Sequence, residues 1–406
     1  MIYKIEFENL FSFKDRQCLD LSVAPNVPEE NGRYATVFPG ATVRAPRVVA
    51  VIGANASGKT NLLRVLGFLL QFLRTEVTQQ AQVTVAAFND AESPAKVSSI
   101  AVEFGGVVNY SPDTFDRLQQ NLPVEYGVYR YELEFQIEKF NVKSIFRESL
   151  KQKPLGAGKW QSVFKRDNDH VTNGSKGFLL PEYRHVEKKL LPQVSLLTVF
   201  AAHYHPAASA LITYIRNCVC NDDLSRVDEQ TVVHFFKGNP AGFDFLNSQL
   251  PKVDLGISQV DIEAVSHTRD GLFFRHAGLP KPVEWLLESR GTQQMVKLLP
   301  LLKHGLDGGH LLVIDELDMA IHPMVLRHFI TMFTHPKVNV RNAQLWFSCQ
   351  NATLLEELNK EEIVICEKTS DSRSRVLSLM DIKSRRDVNH YKKYMQGEYG
   401  GLPIIG

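Results

Sequence analysis

Residues 53 to 60 read Gly53-Ala54-Asn55-Ala56-Ser57-Gly58-Lys59-Thr60, a full match to the pattern G-x-x-x-x-G-K-[ST]. The flanking sequence fits the pattern. Val48-Val49-Ala50-Val51-Ile52, just before it, is short, apolar and β-branched, and reads as a buried strand. Asn61 to Leu70, just after it, has helix-forming composition and one apolar face. Strand, glycine loop and helix is the order such a loop needs. Gly53 and Gly58 let the backbone curl so that several N–H groups converge on one anion. The positive end of the following helix faces the same anion. The pattern therefore assigns Gly53, Asn55, Ser57, Gly58, Lys59, Thr60 and Asn61 to a bound triphosphate. Lys59 is expected at the β- and γ-phosphates and the Thr60 hydroxyl on Mg²⁺. The competing reading is a glycine-rich turn followed by a chance Lys-Thr. Four fixed positions recur by chance in about one chain in a hundred of this length, and the strand and helix on either side lower that further. ATP and Mg²⁺ are the expected cofactors.

Upstream, Met1 to Phe7 alternates apolar and polar residues and reads as a strand rather than a signal peptide. Residues 1–24 suit two antiparallel strands joined by a turn near Lys14-Asp15. Residues 25–47 carry four prolines and two glycines and read as a loop.

Downstream, residues 75–97 look irregular. Strands are then expected over 98–104, 126–135, 141–150 and 159–164, antiparallel to one another. Tyr126, Tyr129 and Tyr131 lie close together; packing on a sheet is favoured over base stacking. Residues 180–250 read as mostly helical. His185, His203, His205 and His234 lack a carboxylate or cysteine at ligand spacing, so a metal site is disfavoured. Strand pieces follow at 271–275 and 283–287. Next comes Glu288-Ser289-Arg290-Gly291-Thr292-Gln293, then an apolar helix over 295–302. Ser289-x-Gly291 at a helix start offers a hydroxyl and free N–H groups, and it is also an ordinary N-cap pattern.

Leu311-Leu312-Val313-Ile314-Asp315-Glu316 is an apolar strand ending in two acids. Phosphoryl transfer calls for a carboxylate to hold the metal, here Asp315, and one to polarise the attacking water, here Glu316. A helix over 324–333 and a strand over 344–348 follow. Strands over 363–367 and 375–379 and a short helix near 388–395 complete the expected elements. The segment 383–393 places Lys383, Arg385, Arg386, Lys392 and Lys393 against Asp387 alone, which suits either a phosphate backbone or a solvated face.

The chain of 406 residues is 44% hydrophobic and 22% charged, ordinary for a globular protein. A net charge of +1 provides no global field for nucleic acid. Five scattered cysteines without metal-site spacing point to reduced thiols in a cytosol. No run approaches eighteen apolar residues, so no membrane span is expected.

Together these residues resemble the ABC-type ATPase heads of the SMC and OLD-like lineage, and in particular the RloA-like ATP-binding proteins of abortive-infection and phage-defence operons. The strand pair before the phosphate loop, the stretch 288–293, Ile314-Asp315-Glu316 with the Ile321-His322-Pro323 turn, and Tyr399-Gly400-Gly401-Leu402-Pro403 carry the resemblance. It implies an α/β P-loop NTPase fold with an ABC-type head: a mixed central sheet, an antiparallel β subdomain and a helical insertion. The implied segments are an ATPase lobe over 1–104, an insertion over 105–254 and a second lobe over 255–406.

The resemblance also implies that two heads pair around ATP. Ser289 and Gly291 of one would meet the γ-phosphate at Lys59 of the other, and Asp318 would lie at the contact. Where the family usually has a histidine after the next strand, this chain has Gln350, which hydrogen-bonds but carries no charge. Slow hydrolysis follows as an expectation. Too few residues follow Gln350 for a Toprim nuclease domain, so a separately encoded nuclease or toxin is the implied effector. Two alternatives stay open at this stage: an ATP-bound scaffold that sequesters a toxin, and a repair-type ATPase that engages DNA or RNA.

Overall fold

The structure is a computed structural model. It describes residues 1–403 except 30, 78–82, 112, 121, 175–189, 222–226, 254–255, 267–268 and 383–387. The strands are, in chain order, β1 Ile2–Glu8, β2 Gln17–Asp20, β3 Tyr34–Thr36, β4 Arg44–Pro46, β5 Val48–Ile52, β6 Ser98–Val107, β7 Tyr126–Glu138, β8 Asn141–Pro154, β9 Gln161–Asp167, β10 His170–Gly174, β11 Val219–Asn221, β12 Ile257–Ser266, β13 Arg269–His276, β14 Val283–Glu284, β15 Leu311–Ile314, β16 Gln344–Ser348, β17 Ile363–Lys368 and β18 Ser374–Ser378. The helices are α1 Lys59–Arg74, α2 Thr114–Gln119, α3 Leu196–Ala202, α4 Pro206–Asn217, α5 Glu229–Gly238, α6 Pro240–Val253, α7 Arg290–Gly308, α8 Pro323–Thr334 and α9 His390–Met395.

Among the described residues the strands form four sheets. The functional one has six strands in the order β11-β15-β16-β5-β17-β18. It is parallel from β11 to β17, and β18 turns back antiparallel along its edge. Every residue of β5, β15 and β16 is buried, the pattern of a sheet covered on both faces. Val49 and Val51 face α1 and the antiparallel sheet, while Val48, Ala50 and Ile52 face α7 and α8. The seven-stranded sheet runs β10-β9-β8-β7-β6-β1-β2 and is antiparallel throughout. It spans both sides of residue 104, since β6 passes through that position.

Helix α1 joins these layers. Leu62, Val65, Leu66, Leu69 and Phe72 recur at helical spacing and are buried against both sheets. Each such side chain contributes about 1.5–3 kcal/mol when removed from water. The helix that starts at the phosphate loop is thus held as firmly as the core itself.

The result is an α/β fold with a strand, phosphate loop and helix at its centre: a mixed core sheet, an antiparallel sheet and helices α3 to α6 between β10 and β12 in sequence. Several boundaries differ from the sequence reading. Residues 25–47 are not all loop: β3 and β4 form a small hairpin closed over Phe38, Pro39 and Gly40. Within the helical stretch, Val219–Asn221 adds an edge strand to the core sheet. Only Val283–Glu284 is extended in the 283–287 stretch, and a 3-10 turn follows. Tyr129 and Tyr131 are buried in the antiparallel sheet, and Tyr126 stacks on Phe38. His205 caps α4, accepting from Ala208 N at 3.3 Å. His185 lies outside the described residues, and no cluster of His, Cys, Asp and Glu able to hold a metal occurs among those described.

Candidate functional site

The site is built where β5, β16 and β15 end side by side. Ser348 pairs with Val51, and Phe347 pairs with Ile314, so the residues after each strand emerge at one edge of the sheet. In parallel α/β sheets this edge is where ligands sit. After β5 the chain enters the loop with Ala56 at φ 62° and Gly58 at φ 113°. A Cβ at Gly58 would meet Ser374 Oγ at 2.5 Å and Ser12 Oγ at 3.2 Å, so neither the backbone angle nor the space admits a larger residue.

Helix α1 starts at Lys59 with no side-chain cap and no acidic residue in its first turn. Its opening N–H groups therefore carry their partial positive charge with no side chain to offset it. Lys59 is buried, and its Nζ donates to Gly53 O at 2.8 Å and Ala54 O at 3.0 Å. Burial pulls its pKa below the ordinary lysine value, against the upward pull of Asp315, Asp318 and Glu316 nearby. Among the described residues Ser57 Oγ has no hydrogen-bond partner, and it is buried. Asn61 Nδ2 reaches Ser12 Oγ at 2.9 Å, so Asn61 supports the strand-pair turn from below. A folded-back lysine, an orphan hydroxyl and an uncapped helix start together fit a polyphosphate anion.

Asp315 follows β15 and is buried. Ser348 Oγ donates to Asp315 Oδ1 and accepts the N–H of Glu316 at 2.8 Å. One hydroxyl thus fixes both acids across the β15–β16 step. Glu316 has φ 49°, a strained value for this residue type, and its side chain is exposed. Gln350 Nε2 donates to Glu316 Oε1 at 3.2 Å. Asp318 Oδ2 accepts the N–H groups of Gln350 at 3.0 Å and Asn351 at 2.8 Å. Asp318 therefore anchors the loop that presents Gln350 to Glu316. A buried carboxylate beside an exposed one is the pairing that a hard cation and a polarised water call for.

Ser289 and Gly291 stand at the start of α7, against the turn that follows Glu316. Ser289 Oγ accepts from Thr292 N at 3.1 Å and caps α7, and the residue is exposed. Among the described residues no hydrogen bond joins Ser289 to the phosphate loop. Gly291 packs so closely on the 317–320 turn that a Cβ would stand 2.7 Å from Ala320 O. The start of α7 and the turn after Glu316 therefore form one surface. Leu286 and Leu287, just before Ser289, are 79% and 77% exposed.

Residues 48–348 match the family model described as "AAA domain, putative AbiEii toxin, Type IV TA system". The chain belongs to this AAA-domain family. The match starts at the strand before the phosphate loop and ends at Ser348, so it spans both halves of the constellation. A 120-residue stretch is 30% identical to the ABC transporter ATP-binding protein NatA of Bacillus subtilis (strain 168), covering 29% of this chain and 46% of that protein. The chain thus spans less than half the length of that curated relative. Two solved structures also align with it at 12% identity. One is an SMC head bound to the C-winged helix domain of ScpA, with TM-score 0.42 over 93% of this chain and 96% of that one. The other is an Smc head with an extended coiled coil bound to the C-terminal domain of ScpA, derived from Pyrococcus furiosus, with TM-score 0.38 over 94% and 97%.

Three features of this AAA-domain site are not visible in the motifs. Ser348 carries a linking role that no motif assigns, although a hydroxyl at the end of a strand beside an Asp-Glu strand was a usable signal. Ser12 and Ser374 wall the loop at Gly58. Ala54 N donates to Gly401 O at 2.7 Å. Of the basic segment 383–393, Lys383, Arg385 and Arg386 lie outside the described residues, while Lys393 pairs with Glu398 at 2.6 Å. Among the described residues no helix is long and apolar enough to cross a membrane.

Proposed function

We propose that the protein binds Mg-ATP, hydrolyses it to ADP and phosphate, and does so as a nucleotide-held pair of ABC-type heads that regulates a separately encoded nuclease or toxin in antiviral defence. The observation that carries this is the convergence of Lys59, Asp315, Ser348 and Glu316 at adjacent strand ends. Lys59 would leave the loop carbonyls for the β- and γ-phosphate oxygens, exchanging neutral acceptors for charged ones. The uncapped start of α1 and the N–H groups of Ser57 to Asn61 would hold the remaining phosphate charge. Thr60 and Asp315 would hold Mg²⁺, which supplies charge neutralisation at the phosphates. Glu316, exposed and fixed through its N–H, would take the proton of the attacking water, with Gln350 orienting that water or the γ-phosphate.

Pairing is supported by the exposure of Ser289 and of the neighbouring Leu286-Leu287. The family description, with its toxin and type IV system wording, supports a defence context. A cytoplasmic setting goes with that reading.

The test is phosphate release in steady state. Wild type should turn over Mg-ATP, and Glu316→Gln should lose at least about a hundredfold while still binding nucleotide, as general-base removal does. Equal release from both proteins would sink the catalytic assignment. One observation favours a second reading, an ATP-held scaffold that sequesters its effector: the group that donates to Glu316 is Gln350, a side chain that carries no charge. That reading expects negligible release from wild type as well, with tight nucleotide retention.

A further inference from the structure

The phosphate loop and the Gln350 loop are joined behind the site by a segment that the motif roles leave unused. Residues 389–402 pack α9 against the 3-10 turn Ala352–Glu356, which follows directly on Gln350-Asn351. Asn389 Nδ2 reaches Glu356 Oε1 at 3.3 Å. The same segment then bends through Gly400 and Gly401, both at φ 70°, onto the phosphate loop. There the Gly401 carbonyl accepts two donors: Ala54 N at 2.7 Å and the buried Tyr394 hydroxyl at 2.9 Å. A Cβ at Gly401 would meet Ile365 Cγ2 at 2.7 Å, so only glycine fits this turn. His390 Nδ1 lies 2.9 Å from the Tyr399 hydroxyl, and both side chains are buried, which ties the ends of the segment together.

We propose that this segment is a strap that couples the two loops, with Tyr394 and Gly401 as positioning residues. Movement of the phosphate loop at Ala54 is carried by the Gly401 carbonyl to Tyr394, through α9 to the 352–356 turn, and so to Gln350 and Asp318. The contact of Gly401 with Ala54 and the packing of α9 on the 352–356 turn join elements far apart in sequence, while the Tyr394–Gly401 bond is buried and local. Neither residue touches the nucleotide; both act by setting where Gln350 stands when the phosphate loop is filled. The inference rests on the reading of the phosphate loop as a nucleotide site.

The experiment is amide hydrogen exchange on the full chain, with and without the slowly hydrolysed analogue Mg-AMPPNP, for wild type, Tyr394→Phe and Gly401→Ala. In wild type the analogue should slow exchange at 54–61 and also at 350–356. In Tyr394→Phe the effect at 54–61 should persist while the effect at 350–356 shrinks by roughly fivefold, the size of one buried hydrogen bond. Gly401→Ala should abolish the effect at 350–356. A role confined to stability would raise exchange equally with and without the analogue and leave the nucleotide-dependent difference unchanged. An undiminished response at 350–356 in both variants overturns the strap and leaves the nucleotide site standing. No slowing at 54–61 in wild type overturns the nucleotide site and the strap with it.

Discussion

Ser348 shows how much one hydroxyl can hold. It donates to a buried carboxylate and accepts the N–H of the neighbouring, strained Glu316, so its removal leaves both groups short of a partner. Ser348→Ala is expected to cost about 1–3 kcal/mol of stability, the penalty for leaving buried polar groups unsatisfied. It should also lower phosphate release more than nucleotide affinity, because Glu316 is the group set loose. Thermal melts and a kcat-against-KM comparison check this; loss of affinity alone would contradict it. His310 tests the electrostatics away from the site. Burial, then His304 and Arg341, push its pKa down from 6.5 to about 4, and its buried Nδ1 has no partner among the described residues. The folded protein therefore keeps the ring neutral while the unfolded chain takes up a proton near 6.5. Acid thus favours the unfolded chain, and His310 should contribute a loss of stability as pH falls from about 6.5 to about 4. In His310→Gln the fall in melting temperature over that window should be shallower than in wild type. Parallel curves would show that burial at this ring is too incomplete to matter.

Helix α7 carries a structural and a proposed functional task on the same residue, and the two can be separated. Ser289 caps the helix through Thr292 N, so Ser289→Ala should cost about 1 kcal/mol while Ser289→Asn, which caps equally well, should not. If Ser289 also meets a γ-phosphate across a head pair, both variants should lose ATP turnover despite their different melts. Turnover restored by Asn would reduce Ser289 to a cap. The elements that were legible in the sequence share a cause. The phosphate loop, β5, α1 and the Asp315-Glu316 strand end are each specified by residues within a few positions, where glycine freedom, β-branching and helical periodicity act. The β3–β4 hairpin was hidden by its proline and glycine content, although Tyr34 and Ala45 are buried like any core residue. The three residues of β11 are too few to show a period, and their pairing with β15 is fixed by the core sheet rather than by their own sequence. The links through Ser348 and Gly401 are tertiary. No local propensity encodes a hydrogen bond between a phosphate loop and a glycine turn on another element.

At the scale of the molecule, the start of α7 packs against the turn that follows Glu316, and its Ser289 is exposed. Lys59, Asp315 and Glu316 stand at the carboxyl edge of the core sheet, and Ser289 with Gly291 stands at the exposed start of α7, next to Leu286 and Leu287. Exposed leucines beside an exposed helix start are costly for an isolated molecule and favourable at a contact between copies. A two-fold pair would place each α7 start over the other copy's phosphate loop, making two equivalent sites from one surface. This predicts complementation. Lys59→Ala and Ser289→Arg should each be nearly inactive alone. Mixed in equal amounts, half the pairs are hybrids, and each hybrid holds one intact and one doubly damaged site. Turnover should then return to about a quarter of wild type if the two sites work independently. Leu286→Glu should suppress that rescue by placing a charge in the contact, without altering the phosphate loop. Sedimentation of Glu316→Gln with Mg-ATP should show a dimer that reverts to monomer when nucleotide is removed. A wild-type chain that hydrolyses ATP at full rate as a monomer, with no rescue in the mixture, would assign Ser289 and Gly291 to the folding of α7 alone.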